Sequence, residues 1–175
     1  TTEIYTLSLH DALPIFWQRR GGTCSPDDAP EGFTRFFQVL RKGGSALIVG
    51  VGIDLCRISR MLRAMRSRHF VERVFRPEEI AYAEARGGER ARAASYASAF
   101  AAREAFCKAS GVSLAEVTLG KGFCLLREGG VPRIELAPEV EASFLPGRSK
   151  RLWVSLTHDG DYAAAVVVIE AEPPP

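Results

Sequence analysis

Residues 89–111 read ERARAASYASAFAAREAFCKASG, the segment on which the fold depends most. It is rich in alanine, the best helix former, and only its last residue, Gly111, is a glycine or proline after the start at Glu89. The composition predicts the longest helix of the protein, running from Glu89 to Ser110 and stopped by Gly111. Glu104 and Lys108 are four residues apart, so we expect their side chains on one face of this helix.

Upstream of the long helix, residues 47–54 read LIVGVGID, an apolar and β-branched run of strand length that ends at a carboxylate. The pattern predicts a buried strand that brings Asp54 to an edge. Apolar residues then recur at helical spacing from Ile58 to Met65, which predicts a first short helix. A second helix should begin near Pro77, because proline and acidic residues suit a first turn.

Downstream of the long helix, glycine turns separate short apolar runs. Gly129-Gly130 and Gly160 suit hairpin connections. The flanking patterns predict a short helix over 138–144 and strands over 122–126, 133–136, 152–156 and 162–169. The order of strand, helices, hairpin, short helix and hairpin is typical of the α+β class. We expect a small antiparallel sheet packed with one long and several short helices.

The first 45 residues differ from the rest. Glycine and proline divide residues 1–45 into pieces too short to fold alone, which predicts a poorly structured extension. Residues 2–15 resemble a peptide translated from sequencing-adapter DNA, so we interpret part of this extension as artefactual. Aromatic residues at helical spacing are compatible with an amphipathic helix over 32–41, either genuine or read through from an upstream frame. The compact domain is expected over 46–171, with a tail at 172–175.

Overall composition narrows the class of protein. The 175 residues are 46% hydrophobic and 25% charged, as in ordinary globular proteins, and a net charge of +2 gives no basic field for nucleic acid. The longest apolar run, 163–169, is too short to span a membrane. The 4 cysteines lack metal-site spacing, which favours reduced thiols in a cytoplasm.

Asp54, Glu104 and Lys108 are the residues with the clearest potential for chemistry. Mg²⁺ is commonly held by one or two carboxylates together with substrate phosphates and waters. Asp54 and Glu104 are therefore candidate magnesium ligands, and Lys108 is a candidate contact to a diphosphate. Glutamate and lysine four residues apart also occur on many solvated helices, so spacing alone leaves both interpretations open.

Four segments form a recognisable series along the chain. They are VGVGIDL at 49–55 with Arg60-Met61, RVFRPEEI at 73–80, FAAREAFCKASG at 100–111 and VSLTHDGDYAAA at 154–165. Together with a fitting hairpin turn at Gly130-Val131-Pro132, they resemble, in the same order, the holo-acyl-carrier-protein synthases, the short type within the 4'-phosphopantetheinyl transferase superfamily.

The resemblance implies a 4'-phosphopantetheinyl transferase-like fold and magnesium-dependent transfer of the 4'-phosphopantetheine group from coenzyme A to a serine of apo acyl carrier protein, as in fatty acid biosynthesis. Adenosine 3',5'-bisphosphate would be released. It implies that Asp54 and Glu104 bind Mg²⁺ and that Lys108 completes the catalytic set at the coenzyme A phosphates. His158 and Arg103 are expected at the same phosphates, although a histidine that caps a strand end remains an alternative. Either Glu104 or a metal-bound water would accept the serine proton.

The resemblance also implies partners. Three arginines, Arg57, Arg60 and Arg63, are expected to meet the acidic carrier protein. For Arg57 and Arg63 a solvated face is an equal alternative. The family forms homotrimers with sites between subunits, so Asp54 from one chain is expected to meet Glu104 from another.

Several positions depart from the family pattern. Ala99 stands where arginine is common, and the missing phosphate contact could come from Arg90 or Arg92. Residues 111–113 replace a Gly-Thr-Gly loop, which shortens the loop expected near pantetheine. These changes leave open a weakened relative that binds carrier protein with little turnover. A different magnesium enzyme acting on a diphosphate is disfavoured, because Glu104 has no acidic neighbour at helical spacing.

Overall fold

A computed structural model describes residues 47–172 of the protein. The interpretation of residues 1–45, the helix predicted over 32–41 and Cys24 lie outside the described residues, as do residues 173–175 of the tail.

Within residues 47–172 the chain alternates short helices and strands around one long helix. In chain order the elements are β1 (Leu47–Arg57), α1 (Ile58–Ala64), α2 (Arg68–Val74), α3 (Pro77–Glu84), α4 (Glu89–Ser110), α5 (Leu114–Leu119), β2 (Phe123–Glu128), β3 (Val131–Leu136), α6 (Pro138–Ser143), β4 (Lys150–Asp159) and β5 (Tyr162–Ala171).

The strands form two antiparallel sheets. One has the order β1-β5-β4, and the other is the β2-β3 hairpin. The α+β class and the small antiparallel sheet are therefore confirmed. Strand β1 is an edge strand that exposes Val51, Ile53 and Leu55 on one face, so the prediction of a buried strand is wrong. Its predicted end at Asp54 is also wrong. Pairing with β5 continues from Asp54, opposite Ala165, to Arg57, opposite Tyr162, so the strand ends three residues later.

The long helix α4 begins and ends where the sequence predicts. Gly111 has φ of 78° and its N–H donates to the carbonyl of Cys107 at 2.9 Å, a helix ending that glycine adopts readily. The helix packs on one face of the three-stranded sheet, where alanines and Val167 and Ile169 are buried together. None of the described helices is long and apolar enough to cross a membrane.

Two helices were not predicted. Helix α2 begins after Ser67, whose Oγ accepts from Phe70 N at 3.3 Å. Helix α5 begins with a capping box in which Ser113 Oγ accepts from Glu116 N at 3.2 Å and the Glu116 carboxylate accepts from Ser113 N at 3.0 Å. The two helices have seven and six residues.

The predicted hairpins and the short helix α6 are confirmed. Their strands extend beyond the predicted bounds, most of all β4, which is twice as long as predicted. Gly129 and Gly130 turn the first hairpin with φ of 57° and 87°, a conformation that most side chains disfavour.

Candidate active site

Two carboxylates meet where strand β1 crosses helix α4. Asp54 lies on β1, and the Glu104 carboxyl of α4 lies within hydrogen-bonding reach of it. One turn further along α4, Lys108 Nζ lies 2.8 Å from Asp54 Oδ1 and donates to the carbonyl of Ile53 at 3.1 Å. The structure therefore brings together all three residues that the sequence proposed for catalysis. Asp54 and Glu104 are called the carboxylate pair below.

The carboxylate pair is partly buried, which disfavours two negative charges side by side. Burial, followed by the charge of Asp54, raises the pKa of Glu104 from its ordinary 4.5 to about 7, and the opposing effects of Lys108 and Arg60 are smaller. Oδ2 of Asp54 is buried and has no hydrogen-bond partner among the described residues. When protonated, Glu104 can donate to Asp54. The pair therefore favours a shared proton or a bound cation.

Both members of the carboxylate pair belong to the same chain. The expectation that Asp54 would meet Glu104 of another subunit is therefore wrong. The reason is the close crossing of β1 and α4, which needs no second copy.

A small cleft opens beside Glu104, and it is called the Glu104 cleft below. It lies between the end of β1, helix α1 and helix α4, with a cavity volume of about 90 Å³. Arg60 and Met61 of α1 line it together with Phe100 and Glu104 of α4. Ligand pockets generally enclose about 300–1,000 Å³, so the cleft of one chain is too small to enclose a molecule the size of a nucleotide cofactor.

Arg103 does not lie at this site, which corrects its prediction as a phosphate contact. Its side chain is 1% exposed and forms an ion pair with Glu79, which is 2% exposed. The guanidinium also donates to the carbonyl of Ala99 at 3.2 Å and packs over the rings of Phe75 and Phe123. Arg103 therefore holds the core together, and a phosphate in solvent cannot reach it.

The other sequence-predicted residues lie at different distances from the carboxylate pair. Arg60 lines the Glu104 cleft, whereas Arg57 donates to the hydroxyl of Tyr162 at 2.8 Å and Arg63 is exposed in the last turn of α1. His158 is exposed on β4, two strands away from β1, or roughly 10 Å at ordinary strand spacing. Within one chain His158 is therefore not part of the site.

The positions that depart from the family pattern are also placed. Ala99 lies on the side of α4 that is buried in the hydrophobic core. Arg90 donates to the carbonyl of Gly160 at 2.7 Å, and Arg92 pairs with Glu84 at 3.3 Å. Both arginines thus have partners in their own chain. The loop after Gly111 is short because helix α5 starts directly behind Ser113.

Sequence reasoning missed the roles of two acidic residues. Glu79 is the buried partner of Arg103, and its other oxygen accepts from Leu125 N at 3.0 Å. Asp161, in the β4-β5 turn, accepts from Ser59 at the start of α1. Both contacts join residues far apart in the chain, so no local sequence pattern predicts them.

A metal at this site would have few protein ligands. Among residues 47–172 there is no group of three or more histidine, cysteine, aspartate or glutamate side chains placed to hold an ion. Two crowded carboxylates with one unpartnered oxygen fit Mg²⁺, which usually retains waters and substrate phosphates as its other ligands.

The fold of this chain is shared with known proteins. The family model described as the 4'-phosphopantetheinyl transferase superfamily matches residues 50–167. A holo-[acyl-carrier-protein] synthase of Methylobacterium sp. (strain 4-46) is 41% identical over 132 residues, covering 71% of this chain and 96% of that protein. The synthase of Treponema pallidum (strain Nichols) is 35% identical over 127 residues, covering 73% and 99%.

Solved structures agree with these sequence matches. The Chronobacterium ammoniagenes ACPS-CoA complex superposes with a TM-score of 0.60 at 27% identity, covering 71% of this chain and 98% of that one. The Helicobacter pylori holo-[acyl-carrier-protein] synthase in complex with coenzyme A gives a TM-score of 0.57 at 28% identity, covering 68% and 98%.

The matching family model and the shared α+β fold make this a phosphopantetheinyl transferase-like protein. The chain belongs to the 4'-phosphopantetheinyl transferase superfamily and, within it, to the holo-[acyl-carrier-protein] synthases. It is therefore an enzyme of the transferase class.

Proposed function

We propose that this enzyme transfers the 4'-phosphopantetheine group from coenzyme A to a serine of apo acyl carrier protein, with Mg²⁺ as cofactor and adenosine 3',5'-bisphosphate as the second product. The observation that carries the proposal is the carboxylate pair beside Lys108 and Arg60. Relatives solved with coenzyme A support this substrate. The catalytic domain would span residues 46–171. Its cysteines Cys56, Cys107 and Cys124 are free thiols, which supports a cytoplasmic location.

Asp54 and Glu104 are the residues that would hold Mg²⁺. The fit rests on the unpartnered Oδ2 of Asp54 and on the raised pKa of Glu104, which burial and then the charge of Asp54 produce. When bound, the metal would offset negative charge on the diphosphate of coenzyme A.

The remaining steps fall to side chains of this chain. Lys108 would move from Asp54 to a phosphate oxygen, where its ammonium acts as a point charge. Glu104, at the wall of the Glu104 cleft, is a candidate acceptor for the proton of the carrier serine. The serine oxygen would then bond to the β-phosphorus of coenzyme A, as the bond from that phosphorus to the bridging oxygen breaks and releases adenosine 3',5'-bisphosphate.

The carrier protein would approach from α1. Arg60 at the cleft, flanked by Arg57 and Arg63, presents positive charge to an acidic partner. This placement supports Arg60 most directly, since Arg57 is already bonded to Tyr162.

We also propose a homotrimer with sites between subunits. The sheet face turned away from α4 exposes large apolar side chains, a feature that usually marks an interface. The face includes Val51 at 61%, Ile53 at 63%, Leu55 at 59% and Trp153 at 51% exposure. The Glu104 cleft of one chain is also too small for coenzyme A, so a neighbouring subunit would complete it. His158 of a second copy is a candidate for the nucleotide phosphates.

Intact-mass spectrometry of an apo acyl carrier protein tests the proposal. Incubation with the enzyme, coenzyme A and Mg²⁺ should add the mass of one phosphopantetheine, and a chelator should prevent it. Asp54→Asn and Glu104→Gln should abolish transfer, while Glu89→Gln, an exposed carboxylate on the same helix, should not. No mass gain from a folded enzyme that still binds carrier protein would refute the transferase and favour a binding relative.

A further inference from the structure

The turn between β4 and β5 holds the beginning of helix α1. The residue before this helix, Arg57, provides no side-chain cap, although the first N–H groups of any helix need acceptors. Asp161 supplies them from the turn. Its carbonyl accepts from Ile58 N at 2.8 Å, its Oδ1 accepts from Ser59 N at 3.0 Å, and its Oδ2 accepts from Ser59 Oγ at 2.6 Å. The hydrogen bond from the Ser59 side chain lowers the pKa of Asp161, which keeps it an ionised acceptor.

The same turn is fixed to the rest of the protein on both sides. Arg90, at the start of α4, donates to the carbonyl of Gly160 at 2.7 Å and lies 3.9 Å from Asp161 Oδ1. Arg57 donates to the hydroxyl of Tyr162 at 2.8 Å. The turn therefore connects the start of α1 to the start of the helix that carries Glu104.

Helix α1 depends on such contacts for its position. It has 7 residues, and so short a helix has little stability of its own. Ile58 and Met61 bury one side of it, while Arg60 faces outward at the Glu104 cleft. If the cap at Asp161 were lost, the buried side chains would keep the helix on the domain, but its first turn and Arg60 would be free to shift.

We propose that Asp161 is a positioning residue that caps α1 from the β4-β5 turn and thereby places Arg60 at the Glu104 cleft for the acidic carrier protein. This inference rests on the proposed function, because the carrier protein is the partner that Arg60 would meet. Asp161 itself does not line the Glu104 cleft.

Steady-state kinetics of Asp161→Ala test the role. The KM for apo carrier protein should rise about fivefold, the ratio that a typical lost helix cap of about 1 kcal/mol produces. The kcat and the KM for coenzyme A should stay within about twofold, because the carboxylate pair is not disturbed. Asp161→Asn keeps an acceptor for Ser59 and should behave like the unaltered enzyme. Asp159→Ala changes an exposed carboxylate of the same hairpin and is the matched control.

A double-mutant cycle shows whether Asp161 acts through Arg60. If it does, Arg60→Ala combined with Asp161→Ala should be no worse than Arg60→Ala alone. Additive losses, an equal rise in the KM for coenzyme A, or an unchanged KM for carrier protein in folded Asp161→Ala would each overturn the inference.

A failure of the proposed function is distinguishable from a failure of this inference. Absence of transfer by the unaltered enzyme would count against the function only. The cap would then be measured by hydrogen exchange, in which the Ser59 amide must exchange faster in Asp161→Ala than in Asp159→Ala. Equal exchange in the two variants would overturn the positioning role.

Discussion

The carboxylate pair predicts a pH dependence of stability that can be measured without any substrate. In the metal-free protein the pKa of Glu104 rises from 4.5 to about 7. The folded state therefore binds this proton more tightly than the unfolded state, so its stabilising contribution is full below pH 4.5 and is lost as the pH rises through 7. The complete shift corresponds to about 3 kcal/mol. Partial exposure of Glu104 to solvent reduces the expected loss to about 1–2 kcal/mol.

Urea unfolding with a chelator, at fixed protein concentration, measures this loss between pH 5 and pH 8. Other groups titrate in the same range, so the quantity to follow is the difference between the unaltered enzyme and Glu104→Gln. From pH 5 to pH 8, the unfolding free energy of Glu104→Gln minus that of the unaltered enzyme should increase by about 1–2 kcal/mol. Glu89→Gln, on the same helix, should follow the unaltered enzyme. Parallel pH profiles for Glu104→Gln and the unaltered enzyme would refute the reasoning.

Adding Mg²⁺ extends the same experiment. A cation that binds the ionised pair stabilises the folded state, so Mg²⁺ should raise the unfolding free energy more at pH 8 than at pH 5. Glu104→Gln should lose most of this effect. Equal stabilisation of Glu104→Gln and the unaltered enzyme would show that Mg²⁺ binds elsewhere.

Three further outcomes are expected. Glu79→Ala should lower the unfolding free energy by about 3–5 kcal/mol in urea, because it leaves the buried guanidinium of Arg103 without its partner; a loss under about 1 kcal/mol would contradict the role of the pair. Gly52→Ala should lower the unfolding free energy by about 1–3 kcal/mol and reduce transfer, because the new Cβ would overlap the carbonyl of Ala105 on α4. Gly87→Ala should change the unfolding free energy little, because its Cβ would meet nothing within 4 Å. Ile53→Glu should convert the proposed homotrimer to monomers in light scattering, and an unchanged mass would exclude the apolar sheet face as the interface.

Most of the fold follows from local sequence patterns. The long helix lacks glycine and proline up to Gly111, and glycine turns mark both hairpins, so these elements could be predicted with little error. Helix α5 left a signal as well, since Ser113 and Glu116 have the spacing of a capping box. The ends of β1 and β4 depended on a distant partner, because β5 sets how far the pairing of each strand continues.

The site was less accessible to sequence reasoning. Residue type and family resemblance were enough to propose Asp54, Glu104 and Lys108. They were not enough for Arg103, since the charge that a phosphate contact needs is the same charge that pairs with a buried glutamate. Only the packing of α3 against α4 shows that Glu79 takes this arginine.

The geometry of the carboxylate pair can be traced to two glycines that precede it. Gly50 and Gly52 face α4, and a Cβ on either would overlap the carbonyl of Ala109 or Ala105. Two residues of strand rise about 6.6 Å and four residues of helix about 6 Å, so the two contacts repeat in step along the crossing. Two residues beyond Gly52 on the strand, Asp54 therefore lies beside the turn of α4 that precedes Ala105.

Glu104 precedes Ala105 by one position and Lys108 precedes Ala109 by one, so their side chains flank this line of close contact on one side. The Gly-x-Gly spacing therefore acts through packing, because it brings α4 close enough for Asp54 to reach both Glu104 and Lys108 within one chain. A larger residue at either glycine would separate β1 from α4, and the carboxylate pair would separate with them.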